Sequence, residues 1–126
     1  MYLCDNGAAF DNKEVAMSFG KIVAVFDSKK EYERYLELLL LQKGKEISEL
    51  KRQAKWIISD SCVYDGKIIK EVAYKADFQY IRDGKLVVED VKPFDKKAQK
   101  YRLTKDFNIK WKLLKGKYPS VSFEIY

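Results

Sequence analysis

The sequence predicts an α/β domain with the element order β-α-β-β-β-α-β, and three observations carry that prediction. Asp83-Gly84 stands between two apolar-rich runs, and both residues tolerate the positive φ that a two-residue hairpin turn demands. Tyr32, Tyr35, Leu36, Leu39 and Leu40 recur at helical spacing, as do Phe107, Trp111 and Leu114. Val121, Phe123 and Ile125 alternate with Ser122 and Glu124, the pattern of a half-buried strand.

Taken in order, residues 1–20 are mixed and low in periodicity, a partly ordered lead-in to one domain over 21–126. Lys21 to Phe26 reads as a short strand. After Asp27, Ser28 and Glu31 have capping-box spacing and open a helix that Gly44 stops. A hairpin follows over 50–59 and 67–81, turning at Asp65-Gly66. Residues 85–92 form the third strand of this meander, and Pro93 ends it because proline cannot donate to a ladder. Residues 94–103 are a basic connector of little periodicity. Thr104 caps the second helix, whose Phe107, Trp111 and Leu114 read as core rather than as base-stacking groups. Gly116 and Pro119 close it.

At 126 residues, 47% apolar and 35% charged, the chain has the make-up of one soluble domain. No run approaches the ~20 apolar residues of a bilayer span, and Met1-Tyr2-Leu3-Cys4 lacks the basic start of a signal peptide. Cys4 and Cys62 are isolated, as reduced cytoplasmic thiols would be. Histidine is absent. That excludes Ser-His-Asp and Cys-His catalysis, histidine zinc sites and nucleases with a histidine base. Chemistry here must rest on carboxylates, lysines, tyrosines and a hard metal.

If Arg82 and Lys85 flank the Asp83-Gly84 turn, Asp77 faces Asp90 and Lys75 faces Lys92. Opposed residues share a face with Cβ atoms roughly 4.5–5.5 Å apart. Two carboxylates that close repel unless a cation joins them, and oxygen donors suit Mg²⁺ or Mn²⁺. Lys92 completes an Asp…Asp-x-Lys constellation, which points to a metal-dependent nuclease site. The competing reading makes these charges solvated strand ends, with Asp90 paired to a lysine for under about 1 kcal/mol. Leu86 and Val88 on one face, and Val87 and Val91 on the other, favour a strand covered on both sides, where an unpaired charge is costly.

Between Lys92 and Lys117 lie ten basic residues (nine Lys and Arg102) against Asp95 and Asp106, a surplus of eight. The rest of the chain has 15 basic and 17 acidic residues, so the overall +6 is concentrated at the carboxyl-terminal end. A cationic segment beside an acidic strand suits a polyanion held near a metal. The alternative is a solubilising surface. The candidate backbone-gripping residues are Lys75, Lys96, Lys97, Lys100, Arg102, Lys105, Lys110 and Lys112.

The chain resembles the PD-(D/E)xK nuclease superfamily, and more closely a group of small phage-encoded proteins carrying that domain. The matching blocks are Phe26-Asp27-Ser28-Lys29-Lys30-Glu31, Gln53, Tyr74-Lys75-Ala76-Asp77-Phe78, Glu89-Asp90-Val91-Lys92, and Lys110 with Tyr118-Pro119. They span about residues 22–126. Ala76 stands where the motif has proline, and Asp90 where glutamate is commoner. The resemblance implies a restriction endonuclease-like core, a mixed central sheet flanked by helices. It implies Asp77 and Asp90 as metal ligands with the Val91 carbonyl, and Lys92 as the lysine that positions water and stabilises charge. Glu31 would add a helix carboxylate to the metal; its other reading is completion of the capping box with Ser28. Glu89 points away from Asp90 by alternation and stays outside the site.

The expected function is Mg²⁺-dependent DNA cleavage, with Mn²⁺ as a substitute, leaving a 5′-phosphate and 3′-hydroxyl. Relatives related to Holliday junction resolvases suggest selectivity for branched DNA in phage recombination, a homodimer, and a place in the host cytoplasm. A second expectation is a catalytically inactive DNA-binding accessory for recombination or packaging. A third is an RNA-directed nuclease.

Overall fold

Among the described residues of the stretch that lacks periodicity, β1 (Tyr2–Cys4) pairs with β2 (Ala8–Phe10), and β3 (Glu14–Ser18) pairs with the expected strand, β4 (Lys21–Phe26), both antiparallel. The computed structural model describes residues 2–4, 8–10, 14–18, 21–26 and 28–126, with side chains at Phe26 and 28–126. Asp27 and the Cys4 side chain lie outside the described residues. The chain divides into two compact units, Met1–Lys43 and Gly44–Tyr126.

In the first unit, helix α1 (Lys29–Lys43) opens as the capping spacing predicts: the Glu31 N–H donates to Ser28 Oγ at 3.1 Å. The Phe26 ring packs against Tyr32 and Tyr35, with centroids 5.2 and 5.4 Å away. The expected apolar stripe needs correction. Glu31 and Leu38 are the buried positions of α1, while Leu39 and Leu40 are exposed. A run of four leucines covers every direction around a helix, so spacing alone could not select the face.

In the second unit both Asp-Gly turns form. Asp65 and Gly66 have φ of 51° and 72°, and Asp83 and Gly84 of 53° and 74°. The elements are β5 (Ser48–Ser59), β6 (Cys62–Tyr64), β7 (Lys67–Ile69), β8 (Val72–Arg82), β9 (Lys85–Asp90), β10 (Phe94–Asp95), β11 (Lys100–Tyr101), α2 (Lys105–Lys117) and β12 (Ser122–Ile125). The main sheet runs β12-β9-β8-β5. Its first three members in sequence form an antiparallel meander, and β12 joins β9 in parallel, so the fold is α/β with a mixed four-stranded sheet.

The expected long hairpin is really two. The β5–β8 ladder ends at Ser59↔Val72 with a register shift, and β6–β7 forms a separate two-stranded tip beyond it. The expected connector over 94–103 is also a hairpin, β10–β11, whose Phe94 and Tyr101 rings stack edge to face at 5.1 Å. Strands of two residues are too short to show periodicity.

Helix α2 forms as its residues dictate. Thr104 accepts the Phe107 N–H at 3.1 Å, and Lys115 and Lys117 sit in the last turn, where the helix dipole favours cations. Gly116 does not stop it. The helix continues through Lys117 and the Tyr118 N–H closes on the Leu114 carbonyl. Phe107, Trp111 and Leu114 are buried, as their spacing predicts, and form one core cluster with Ala76 and Val88. Trp56, Tyr74 and Phe123 pack around it, and the Tyr118 hydroxyl donates to the Ile57 carbonyl at 2.8 Å. Among the described residues no helix is long and apolar enough to cross a membrane.

Candidate functional site

The Asp83-Gly84 turn sets the register of β8 against β9, which pairs Arg82↔Lys85 through Phe78↔Glu89. Asp77 and Asp90 are the next step, and there the ladder stops. Carboxylates replace it: the Asp77 N–H donates to Asp90 Oδ1 at 3.4 Å, and the Val91 N–H donates to Asp77 Oδ2 at 2.8 Å. On the other side of β8, Arg52↔Phe78 and Ala54↔Ala76 are paired, and Gln53, opposite Asp77, takes a left-handed φ of 53° instead. Ala76 and Val88 both enter the α2 core cluster. Strict alternation from the turn would put them on opposite faces. The strand therefore changes phase beside Asp77, which is how one sheet face receives both core and carboxylate.

Strand β12 holds the far side. The Tyr126 N–H donates to the Asp90 carbonyl at 2.8 Å, and the Lys92 N–H donates to the Tyr126 carbonyl at 2.9 Å. These two bonds bracket Val91. The Lys92 ammonium lies 2.6 Å from Asp90 Oδ2 and 4.3 Å from the Phe107 ring centroid. Asp90 is buried, and its Oδ2 takes this ion contact from the lysine. The expected opposition of Lys75 and Lys92 does not occur. Lys75 is exposed and faces Lys55 on β5, because the β8–β9 ladder has already ended.

Two contributors were not singled out by sequence. Tyr74 is the first. Burial, then the Asp90 charge, a hydrogen bond with Asp90 and the Asp77 charge hold its hydroxyl well above the ordinary tyrosine range. Its sequence signal was its place at the head of the matching block Tyr74-Lys75-Ala76-Asp77-Phe78, with no role attached to it. Phe107 is the second, since helical spacing marked it as core and could not show a cation resting on its ring.

Glu89 occupies the opposite face, as alternation predicts, where it is buried and accepts the Tyr80 hydroxyl at 2.9 Å. Glu31 is buried on α1, in the amino-terminal unit. Among the described residues no three histidine, cysteine or acidic side chains form a metal-holding group. The carboxylates that the structure brings together are the pair Asp77 and Asp90, and these two could hold a small hard cation that keeps waters as its other ligands.

Lys96, Lys97, Lys100, Arg102, Lys105 and Lys112 are exposed along the β10–β11 hairpin and α2. Lys110 is half-buried and pairs with Asp106 at 3.2 Å. A shallow groove of about 530 Å³ is lined by Lys100, Tyr101, Arg102, Thr104 and Asn108, among others.

No curated protein and no solved structure matches the chain. A family model described as "Protein of unknown function (DUF1064)" matches residues 8–125, nearly the whole length, and the chain belongs to that family.

Proposed function

We propose that this protein is a Mg²⁺-dependent DNA endonuclease with a restriction endonuclease-like core, and that Asp77, Asp90 and Lys92 form its reaction centre. One observation carries the reading: two carboxylates and an ammonium converge where the β8–β9 ladder stops. The paired Asp77 and Asp90 carboxylates suit Mg²⁺, which binds through one or two carboxylates and keeps water and phosphate as further ligands. Mn²⁺ would substitute. The resemblance adds the Val91 carbonyl to the ligand set.

When bound, the cation supplies Lewis acidity to a phosphodiester oxygen and to the attacking water. The residues of the chain do the rest. Asp77 and Asp90 carry the negative charge that holds the ion, and Lys92 offsets charge that develops on the phosphoryl oxygens. The Phe107 ring and Asp90 hold the Lys92 ammonium in place before substrate arrives. Lys96, Lys97, Lys100, Arg102, Lys105, Lys110 and Lys112, with Lys75, grip the sugar-phosphate backbone without reading sequence. The resemblance favours branched DNA, cut during phage recombination in the host cytoplasm by a homodimer whose two-fold axis suits paired nicks.

The test is incubation of the purified chain with linear duplex, single strand, flap and four-way junction DNA, and with duplex RNA, in Mg²⁺ or in EDTA. Metal-dependent cleavage of the junction is the expected result. Binding with no cleavage of any substrate would replace the enzyme by a DNA-gripping accessory protein, and cleavage of RNA alone would move the substrate class.

A further inference from the structure

The hairpin β6–β7 is chemically out of place. Every residue from 59 to 72 is exposed, yet the tip carries Val63, Tyr64, Ile68 and Ile69, which are 70%, 72%, 79% and 48% exposed, with Val72 at its base. Among the described residues its two strands pair only with each other. A two-stranded hairpin with no third strand and no covering helix is marginal in water.

These five side chains leave apolar surface in water on a hairpin that has no layer of its own to cover it. Charge argues against a polyanion as the occupant. Residues 59–72 hold Asp60, Asp65 and Glu71 against Lys67 and Lys70, a net of −1, in contrast to the basic surplus of the segment 92–117.

The two outer edges of the hairpin differ. β7 carries Lys67, and Lys70 follows just beyond it; a lysine along an edge is how sheets resist pairing. β6 is Cys62-Val63-Tyr64, three residues without charge. Tyr64 and Lys67 flank the Asp65-Gly66 turn, and in a two-residue hairpin that flanking pair is hydrogen-bonded to itself. The next pair, Val63↔Ile68, is then the non-hydrogen-bonded one, so Val63 turns its N–H and C=O outward along the open β6 edge.

We propose that β6 is a self-pairing edge, through which two copies of this chain join antiparallel about a two-fold axis at Val63. Identical edges related by a two-fold run antiparallel and are self-complementary. Val63 exchanges backbone hydrogen bonds with Val63 of the second copy, and Cys62 stands opposite Tyr64 of the second copy. The order becomes β7-β6-β6-β7, a four-stranded sheet with Val63 and Ile68 of both copies on one face. This pairing does not depend on the nuclease reading, since it uses none of the residues assigned to that site.

Light scattering and sedimentation of the full chain at micromolar concentration test it. The expected mass is twice that of one chain. Val63→Lys, at an exposed edge position, should halve that mass and leave the far-ultraviolet circular dichroism unchanged. A second measurement uses Cys4→Ser carrying pyrene on Cys62. The two Cys62 side chains share a sheet face about 7–8 Å apart, so excimer emission is expected, and adding Val63→Lys should abolish it. A monomeric wild-type chain, a dimer that survives Val63→Lys, or a dimer without excimer emission would each overturn the proposal. So would Val63→Lys weakening DNA binding at unchanged mass, which would give the hairpin to nucleic acid.

Discussion

The Lys92 ammonium rests 4.3 Å from the centroid of the Phe107 ring, so the side chain that anchors α2 in the core also seats the cation beside Asp90. A cation over an aromatic face gains about 0.5–2 kcal/mol, depending on how dry the site is. Lys92 is held from two sides, by a π face and by a carboxylate, and its ammonium has little freedom to leave.

Phe107→Leu keeps an apolar side chain and removes the ring. Stability should fall by about 1–3 kcal/mol, from lost volume and the lost cation contact. Under the proposed function, single-turnover cleavage should fall several-fold, whereas Phe107→Tyr should retain most of it. Equal rates for the leucine and tyrosine variants would show that the ring does not position Lys92.

Tyr74 gives a prediction in pH. Its unfolded hydroxyl titrates near 10, and in the fold burial and then the Asp90 charge raise it above that range. Below pH ~10 both states keep the proton and stability is unaffected. Above it the unfolded chain releases a proton that the folded chain retains, so stability falls as pH rises. The slope is at most about 1.4 kcal/mol per pH unit, and less because the half-buried ring is partly screened by water. Tyr74→Phe should flatten the alkaline decline of the urea midpoint. Identical slopes for the two proteins would contradict the assignment.

What was legible in the sequence was local. Asp83-Gly84 determined a turn and therefore the register that brings Asp77 next to Asp90, and Thr104 with Phe107, Trp111 and Leu114 determined a capped helix and its buried face. The misreadings arose where pattern was missing or ambiguous. The leucine run of α1 hid which face is buried, and β10 and β11 are too short to alternate. The phase change at Asp77, with Gln53 left-handed across from it, was also hidden. Extending a regular ladder past that point is what wrongly set Lys75 against Lys92. A cation on Phe107 and a tyrosine on Asp90 are contacts of tertiary packing that no spacing rule encodes.

The basic surface predicts salt dependence. DNA binding without metal should weaken linearly in log–log form with salt, because counterions return to the phosphates. Lys96, Lys97 and Lys100 are exposed in or beside the β10–β11 hairpin. Replacing all three by alanine should reduce the magnitude of the slope by about 3, with little effect on thermal unfolding. An unchanged slope in gel-shift or anisotropy titrations would remove this hairpin from the interface.

The most direct measurement is cleavage by Asp90→Asn under single-turnover conditions in Mg²⁺, alongside DNA binding in EDTA. Asparagine keeps the shape of the side chain while removing the charge that would hold a cation and that, without one, repels the phosphate backbone. Cleavage should fall on the order of a hundredfold or more, and binding should be unchanged or slightly tighter. An Asp90→Asn protein that cuts as fast as wild type would contradict the assignment of Asp77, Asp90 and Lys92 as the reaction centre.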